Sequence, residues 1–268
     1  MSPLCPKLSI RLEVLPGKSV AEQIQKAAEY GFHAIALPGR FTDRWLTGLR
    51  ECVDDIPLPI ASLSLGFEHS LISPTADQRA KCRDSLLRLF DLCAEFGAKL
   101  FNMPPCLIQD NPDRIQDPGQ IEALLLEQLP EIADQAKQRD VAVLLEPVNK
   151  YESDTMNSVI EAAAISERCN HSHLGITADF FHMQLEELYP ADALEKALSQ
   201  IRHIHVAENT RVEPGPGSLD FYEGFGVLKE NGYDGIIEVE CRYLSGPADE
   251  VLPVSAAFLQ NVWRTVGY

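Results

Sequence analysis

Short apolar runs closed by a breaker alternate with longer stretches whose apolar positions repeat at helical spacing, from one end of the chain to the other. The run 8–15 (LSIRLEVL) leads through Pro16-Gly17 to a helix beginning near Ser19 and ending at Gly31. Glu22, three residues after Ser19, suits a capping box. HAIALPG (33–39) precedes a helix over about 43–54, and PLPIASLSLGF (57–67) precedes a long amphipathic helix, 76–96. In that helix Leu86, Leu87, Phe90, Leu92 and Cys93 share a face, and Gly97 stands as its C-cap. KLFNMPP (99–105), a loop at 107–118 and a helix at 119–138 make a fourth unit. A strand at 141–146 precedes a helix over 158–169, and LGITADF (174–180) precedes a helix over 191–202. IRHIHVAEN (201–209) leads through a Gly/Pro loop to a helix over 219–231. DGIIEVEC (234–241) leads to a closing helix over 249–263.

Eight strand–helix units predict an α/β protein, a single (β/α)8 TIM barrel over residues 1–268, close to the usual barrel size of about 250 residues. Several strand runs are apolar without alternation, as parallel strands covered on both faces should be. An open doubly wound sheet normally carries a Gly-rich first turn, and LEVLPGKS contains neither GxGxxG nor GxxxxGK[ST]. No stretch reads as a linker between domains.

Charge and composition narrow the partners. The formal net charge is −17, with 40 acidic against 23 basic residues. That disfavours nucleic acid, where affinity comes largely from Lys and Arg neutralising phosphates, and an anionic membrane surface. No apolar run approaches the roughly 20 residues of a membrane span, and MSPLCPKLSIRLEVL lacks the layout of a signal peptide. The seven cysteines, Cys5 among them, never form a CxxC and read as reduced thiols. These features predict a cytoplasmic protein acting on a small neutral molecule or a cation, and leave open whether it is a homo-oligomer.

A barrel draws its catalytic side chains from the carboxyl ends of several strands. Those ends carry Glu146 on the fifth, where Pro147 holds the backbone extended, Asp179 on the sixth, His205 on the seventh and Glu240 on the eighth. Strands about 4.8 Å apart on a curved sheet should converge these four on one centre. Clustering three buried carboxylates is costly without a cation among them. Three carboxylates and an imidazole suit one divalent metal ion, and Mn²⁺, Mg²⁺, Co²⁺ and Zn²⁺ all fit the mixed donor set. Glu152, His182 and Arg211 follow at short offsets, in βα loops where substrate contacts belong.

LLEPVNKYESD, ITADFFHM, HIHVAENTRVEPGPGSLDF and YDGIIEVE resemble the xylose isomerase-like TIM barrel superfamily, and most of all its D-tagatose/D-psicose 3-epimerase branch. The resemblance runs essentially the full length, including SPTADQRAKCRDSLLRLFDLCAEFGAKL. It implies metal ligands at Glu146, Asp179, His205 and Glu240, and substrate contacts at Glu152, His182 and Arg211. Within HIHVAEN the spacing to Arg211 selects His205 and places His203 one layer deeper on the same strand face. Within IIEVEC the offset from Gly235 selects Glu240, leaving Glu238 as a buried neighbour or a surface group.

The resemblance also implies a chemistry. A cation chelating adjacent carbonyl and hydroxyl oxygens acidifies the C–H beside the carbonyl and holds the charge of the enediolate. Glu146 and Glu240, on opposite sides, would remove the proton from one face and return it on the other. Return to the neighbouring carbon would instead give aldose–ketose isomerisation. The expected function is thus a metal-dependent epimerase or isomerase of a sugar or sugar-derived ketone. A dehydratase-type lyase, an endonuclease IV-like phosphodiesterase and a catalytically silent barrel are the alternatives. The first four strand ends (LEVLPG, ALPGRF, SLGFEHS, FNMPP) match no branch decisively, and no Lys/Arg cluster marks a phosphate site. PGPGSLDF (214–221) reads either as a wall offering N–H groups to substrate or as a turn into the next helix.

Overall fold

The computed structural model describes residues 6–40 and 43–267, with residues 43 and 44 described by their backbone alone. Cys5 and Phe41 lie outside them. Strand and helix alternate as β1 (Lys7–Arg11), α1 (Val20–Glu29), β2 (Ala34–Pro38), α2 (Asp43–Cys52), β3 (Ile60–Ser64), α3 (Ala76–Phe96), β4 (Leu100–Met103) and α4 (Pro118–Lys137). Then come β5 (Ala142–Leu145), α5 (Val159–Cys169), β6 (Leu174–Asp179), α6 (Phe180–Glu186), α7 (Pro190–Ala197), β7 (Ile201–Val206), α8 (Tyr222–Glu230), β8 (Ile236–Val239) and α9 (Ala248–Thr265). The strands pair in parallel, each with the next, and β8 closes on β1 to complete a (β/α)8 barrel.

Local chemistry explains where the elements begin. Thr75 with Gln78, and Ser158 with Glu161, form complete capping boxes at the starts of α3 and α5. Ser19 caps α1 by accepting from Glu22 N, but the Glu22 carboxylate reaches Lys18 N rather than closing the box. Gly97 ends α3 in the left-handed conformation. The sequence expectation of a strand at 8–15 is shortened: pairing stops at Arg11 and a 3-10 turn follows at Leu12–Val14. The helix expected at 191–202 ends at Ala197, because its last residues are needed for β7. The helix α6 was not expected at all. Asp179 starts it by accepting from Phe181 N through Oδ1 at 2.9 Å, so the last residue of β6 is also a helix cap.

Alternation along the strands separates two environments. Leu8, Ile10, Phe101, Val143, Leu145, Ile204, Val206, Ile237 and Val239 belong to one apolar core with the helices. The residues between them face the lumen, and toward its carboxyl end they are polar yet fully buried: Ser62, Asn102, Thr177, His203 and Glu238. Barrel interiors are normally filled by branched apolar side chains, so each of these needs a partner. Thr177 Oγ1 on β6 donates to Asn102 Oδ1 on β4 at 2.6 Å, and Ser62 Oγ on β3 donates to Glu238 on β8 at 2.6 Å. These bonds cross the lumen rather than joining neighbouring strands.

After β7 the chain doubles back tightly. Buried Glu208 accepts from Gly215 N at 2.8 Å and Leu219 N at 3.1 Å, while Asn209 accepts from Ser218 N at 3.1 Å. Three N–H groups of 214–221 are therefore committed to a turn held by Glu208 and Asn209, which favours the turn reading of that loop. Gly217 allows the approach, since a Cβ there would lie 2.2 Å from Glu208 Oε2. Replacing it with alanine displaces a carboxylate that holds two amides. Gly217→Ala should lose about 2 kcal/mol of stability, a fall in melting temperature of roughly 5 °C. A calorimetric scan within 1 °C of wild type, on the order of 0.3 kcal/mol, would show that the loop does not depend on this contact.

Candidate metal centre

Glu146 and Glu240 stand one residue beyond β5 and β8, while Asp179 and His205 lie within the last two residues of β6 and β7. One donor atom from each of these four residues lies within 4.8 Å of the others. Donors about 2.1 Å from a common ion sit roughly 3–4 Å apart, so the spacing suits a single cation. His205 Nδ1 faces Glu146 Oε1 at 2.7 Å and Glu240 Oε2 at 3.6 Å. Its Nε2 points down the lumen toward Glu238 Oε2 at 3.6 Å.

Two arginines complete the group. Arg211 donates to Asp179 Oδ2 at 2.7 Å and to Glu240 Oε2 at 2.5 Å. Arg11, at the end of β1, donates to Glu240 Oε1 at 2.6 Å and pairs with Glu13. Arg11 and Glu13 were missed in the sequence, because alternation in LSIRLEVL reads as an ordinary strand edge. Arg211 holds φ of 63°, unusual outside glycine. Its N–H donates to Glu208 O, its carbonyl accepts from Arg242 N, and its guanidinium lies 4.2 Å from the Phe181 ring centroid.

Charge tests the fit to a cation. Glu146, Asp179, Glu238 and Glu240 are buried carboxylates facing two guanidiniums, one of which, Arg11, also pairs with Glu13, so acids outnumber arginines in the pocket. A divalent ion would offset such an excess, and three carboxylates and an imidazole are donors it accepts. The strain shows in the titrating groups. Burial pushes the Glu146 carboxyl up to about 7. Burial opposes the His205 cation, yet the charges of Glu146, Glu238 and Glu240 raise it well above its ordinary range. Glu240 is held well below the carboxylate range against its burial by His205, Arg211 and Arg11.

The other predicted residues surround this centre. His182 Nδ1 accepts from Asn149 N at 3.1 Å, which leaves the proton on Nε2, 3.4 Å from Asp179 Oδ2. Glu152 sits higher, paired with Arg242 at 2.7 Å. Glu146, Glu152, His182, Arg211 and Glu240 line a mouth cavity of about 280 Å³, with Arg11, Arg40 and Arg242 also in its wall. Four arginines from separate segments thus gather where no run of basic residues marks them in the sequence. Arg40 and Arg242 are neutralised by Asp110 and Glu152. Glu238 and His203 are both fully buried, which settles the choice left open for Glu238.

Comparison with known proteins agrees with this architecture. A model described as xylose isomerase-like TIM barrel matches residues 24–262. The chain is similar to 3-dehydro-D-guloside 4-epimerase of Escherichia coli (strain K12), 24% identical over 91% of this chain and 95% of that protein. It is 31% identical to the ketose 3-epimerase of Arthrobacter globiformis over 77% of this chain and 70% of that one. The crystal structure of 3-keto-D-glucoside 4-epimerase from E. coli superposes with a TM-score of 0.84 over 96% of this chain and 99% of that one, at 22% identity. That of an L-ribulose 3-epimerase gives 0.86 over 97% and 95%, at 20% identity. At such identities the two structures establish the fold alone.

A cation that relieves buried carboxylate repulsion stabilises the native state by mass action. Adding Mn²⁺ or Co²⁺ at about 100 times its dissociation constant to chelator-treated protein should add roughly 2.7 kcal/mol. The gain should shrink as pH falls from 7 toward 5, because Glu146 and His205 then hold protons that the ion must displace. Melting curves that ignore metal at every pH would show that the cluster holds none.

Proposed function

Because the chain belongs to the xylose isomerase-like TIM barrel family, we propose that it is a divalent-metal-dependent epimerase of a ketose or related small keto-sugar. The observation that carries this reading is the convergence of Glu146, Asp179, His205 and Glu240 beneath a sugar-sized mouth. The names of both curated relatives describe inversion at the carbon beside a ketone. Glu146, Asp179, His205 and Glu240 would hold the ion. When bound, it would supply Lewis acidity to the substrate carbonyl and charge neutralisation for the deprotonated substrate.

The rest falls to side chains. Inversion needs a proton taken from one face of a carbon and delivered to the other. Glu146 and Glu240 are the acids proposed for this, and their surroundings differ. Glu146 is held at Oε1 by a single imidazole and, among the described residues, by no guanidinium, so it is the less fixed of the two. Glu240 is clamped through Oε1 by Arg11 and through Oε2 by Arg211, which favours its ionised form. Arg211 and His182, side by side over Asp179, present N–H donors to substrate oxygens, and Glu152 offers an acceptor at the rim. The cavity floor is buried, so a substrate seated there would itself displace the water that could compete for its proton.

Incubating metal-loaded protein with ketoses and 3-keto-glycosides in deuterated water should place solvent deuterium on the carbon beside the ketone. Loss of water instead of exchange would mark a lyase, and no exchange with any such substrate would sink the epimerase reading. Glu146→Gln, with fold and metal retained, should slow exchange by about 10²–10⁴-fold, the usual contribution of a general acid–base. If exchange persists at the wild-type rate, Glu146 carries no proton. Arg211→Met should raise KM more than it lowers kcat, and an unchanged KM would remove Arg211 from substrate binding.

A further inference from the structure

The rim of the mouth holds an ion pair for which the proton transfer has no use. Arg242, two residues beyond Glu240, donates to Glu152 Oε2 at 2.7 Å. Both residues line the mouth cavity. Glu152 follows β5 and Arg242 follows β8, strands separated in the closed barrel by β6 and β7. The bond thus joins two sides of the mouth, and the strands between them carry Asp179 and His205. Stability does not account for it. The Arg242 side chain is 58% exposed and that of Glu152 26%, and a pair so open to water adds little to folding.

Its neighbours supply another account, because the pair closes a circuit of contacts. The Arg211 carbonyl accepts from Arg242 N at 2.8 Å, and the Arg242 guanidinium holds the Glu152 carboxylate. Glu152 N donates to Asn149 O at 2.9 Å, and Asn149 N donates to His182 Nδ1 at 3.1 Å. His182 Nε2 stands 3.4 Å from Asp179 Oδ2, the same oxygen that accepts from Arg211 at 2.7 Å. The circuit runs through Arg211, Glu152 and His182, the three side chains proposed to hold the substrate. The Glu152 backbone is pinned further by Ile108 N, which donates to Glu152 O at 2.9 Å. Its carboxylate is held less firmly. Besides Arg242, its contact among the described residues is Asn149 Nδ2, 3.4 Å from Oε1. A glutamate side chain freed from Arg242 would spread over several rotamers.

Resting on the reading that Glu152 is a substrate contact, we propose that Arg242 is a positioning residue that holds the Glu152 carboxylate in register with Arg211 and His182. The rotamer freedom of Glu152 is then given up before the substrate arrives rather than on binding, which favours affinity. The backbone of Arg242 is itself tied to Arg211, so one residue couples the rim to the guanidinium that holds Asp179 and Glu240.

The test is the steady-state kinetics of deuterium exchange in metal-loaded full-length protein, with Glu152→Ala, Arg242→Gln and the double variant forming a cycle. Arg242→Gln should raise KM by roughly 2–5-fold, the range of an exposed pair. It should leave kcat and Mn²⁺ affinity close to wild type, as loss of ground-state binding does. Glu152→Ala should raise KM by a larger factor, and Arg242→Gln should add nothing to it, since Arg242 acts through the carboxylate. Arg242→Lys keeps the charge without the planar fork and should recover part of the loss, and it keeps the test decisive if Arg242→Gln does not fold. An unchanged KM in Arg242→Gln would overturn the proposal. So would additive effects in the cycle, which would make Arg242 a substrate contact in its own right. Parallel losses of kcat, Mn²⁺ affinity and melting temperature would overturn it too, by making Arg242 a structural support. Glu152→Ala with an unchanged KM would remove Glu152 from substrate binding and this proposal with it. Wild type that exchanges with no ketose or 3-keto-glycoside would overturn the epimerase reading as well, whereas an exchanging wild type with an indifferent Arg242 overturns only this one.

Discussion

Buried negative charge at the carboxyl end of the barrel is the constraint around which the site is arranged. Asp179 and Glu238 have no exposure, and Glu146 and Glu240 have almost none. Carboxylates placed so deep repel one another and lose their hydration, a combined cost of several kcal/mol per ion unless partners offset it. Every polar feature nearby answers that cost. Arg11 and Arg211 divide the oxygens of Glu240, Arg211 also takes Asp179, and His203 with Ser62 takes Glu238. The acids still outnumber the arginines, so the metal reading draws support from charge as well as from donor type.

The parallel barrel makes such crowding possible. Successive strand ends lie side by side, so residues far apart in sequence come within a few ångströms without strain in the strands themselves. Backbone strain sits instead in the loops, at Leu65 after β3 and at Arg211 after β7. Arg211 adopts a left-handed backbone because Glu208 receives its N–H and the chain returns at once to Val212, whose carbonyl accepts from Glu208 N. The Glu208 carboxylate then reaches forward to Gly215 and Leu219. That loop aims one guanidinium at two carboxylates. Its rigidity comes from a buried acid away from the proposed chemistry.

Much of this was legible in the sequence for a plain reason. Parallel strands covered on both faces leave apolar runs, and an acid or histidine ending such a run stands out against them. Glu146, Asp179, His205 and Glu240 could be read that way, and Glu152, His182 and Arg211 by their offsets. The hidden residues lacked that contrast. Arg11 ends an alternating strand in which an arginine looks solvent-facing, and Glu238 lies two residues before a more conspicuous acid. The arginines of the mouth come from the end of β1 and from segments after β2, β7 and β8, and only closure of the barrel brings them together. The helix α6 escaped notice because its N-cap is a member of the carboxylate cluster, Asp179, one side chain serving a cap and a cluster at once.

The two acids proposed to exchange the proton are not equivalent, and the difference comes from the first strand. Without Arg11, Glu240 would share only Arg211 and His205, and its Oε1 would lack its guanidinium partner. With Arg11 in place, both oxygens of Glu240 are engaged by guanidiniums, whereas Glu146 has a single imidazole partner at Oε1. A carboxylate so clamped keeps its geometry and charge, and a less clamped one changes protonation more easily. Arg11 therefore makes two otherwise similar glutamates unequal in their surroundings. Epimerisation at a single carbon needs two such groups, because the group that takes the proton and the group that returns it face opposite sides of the same atom.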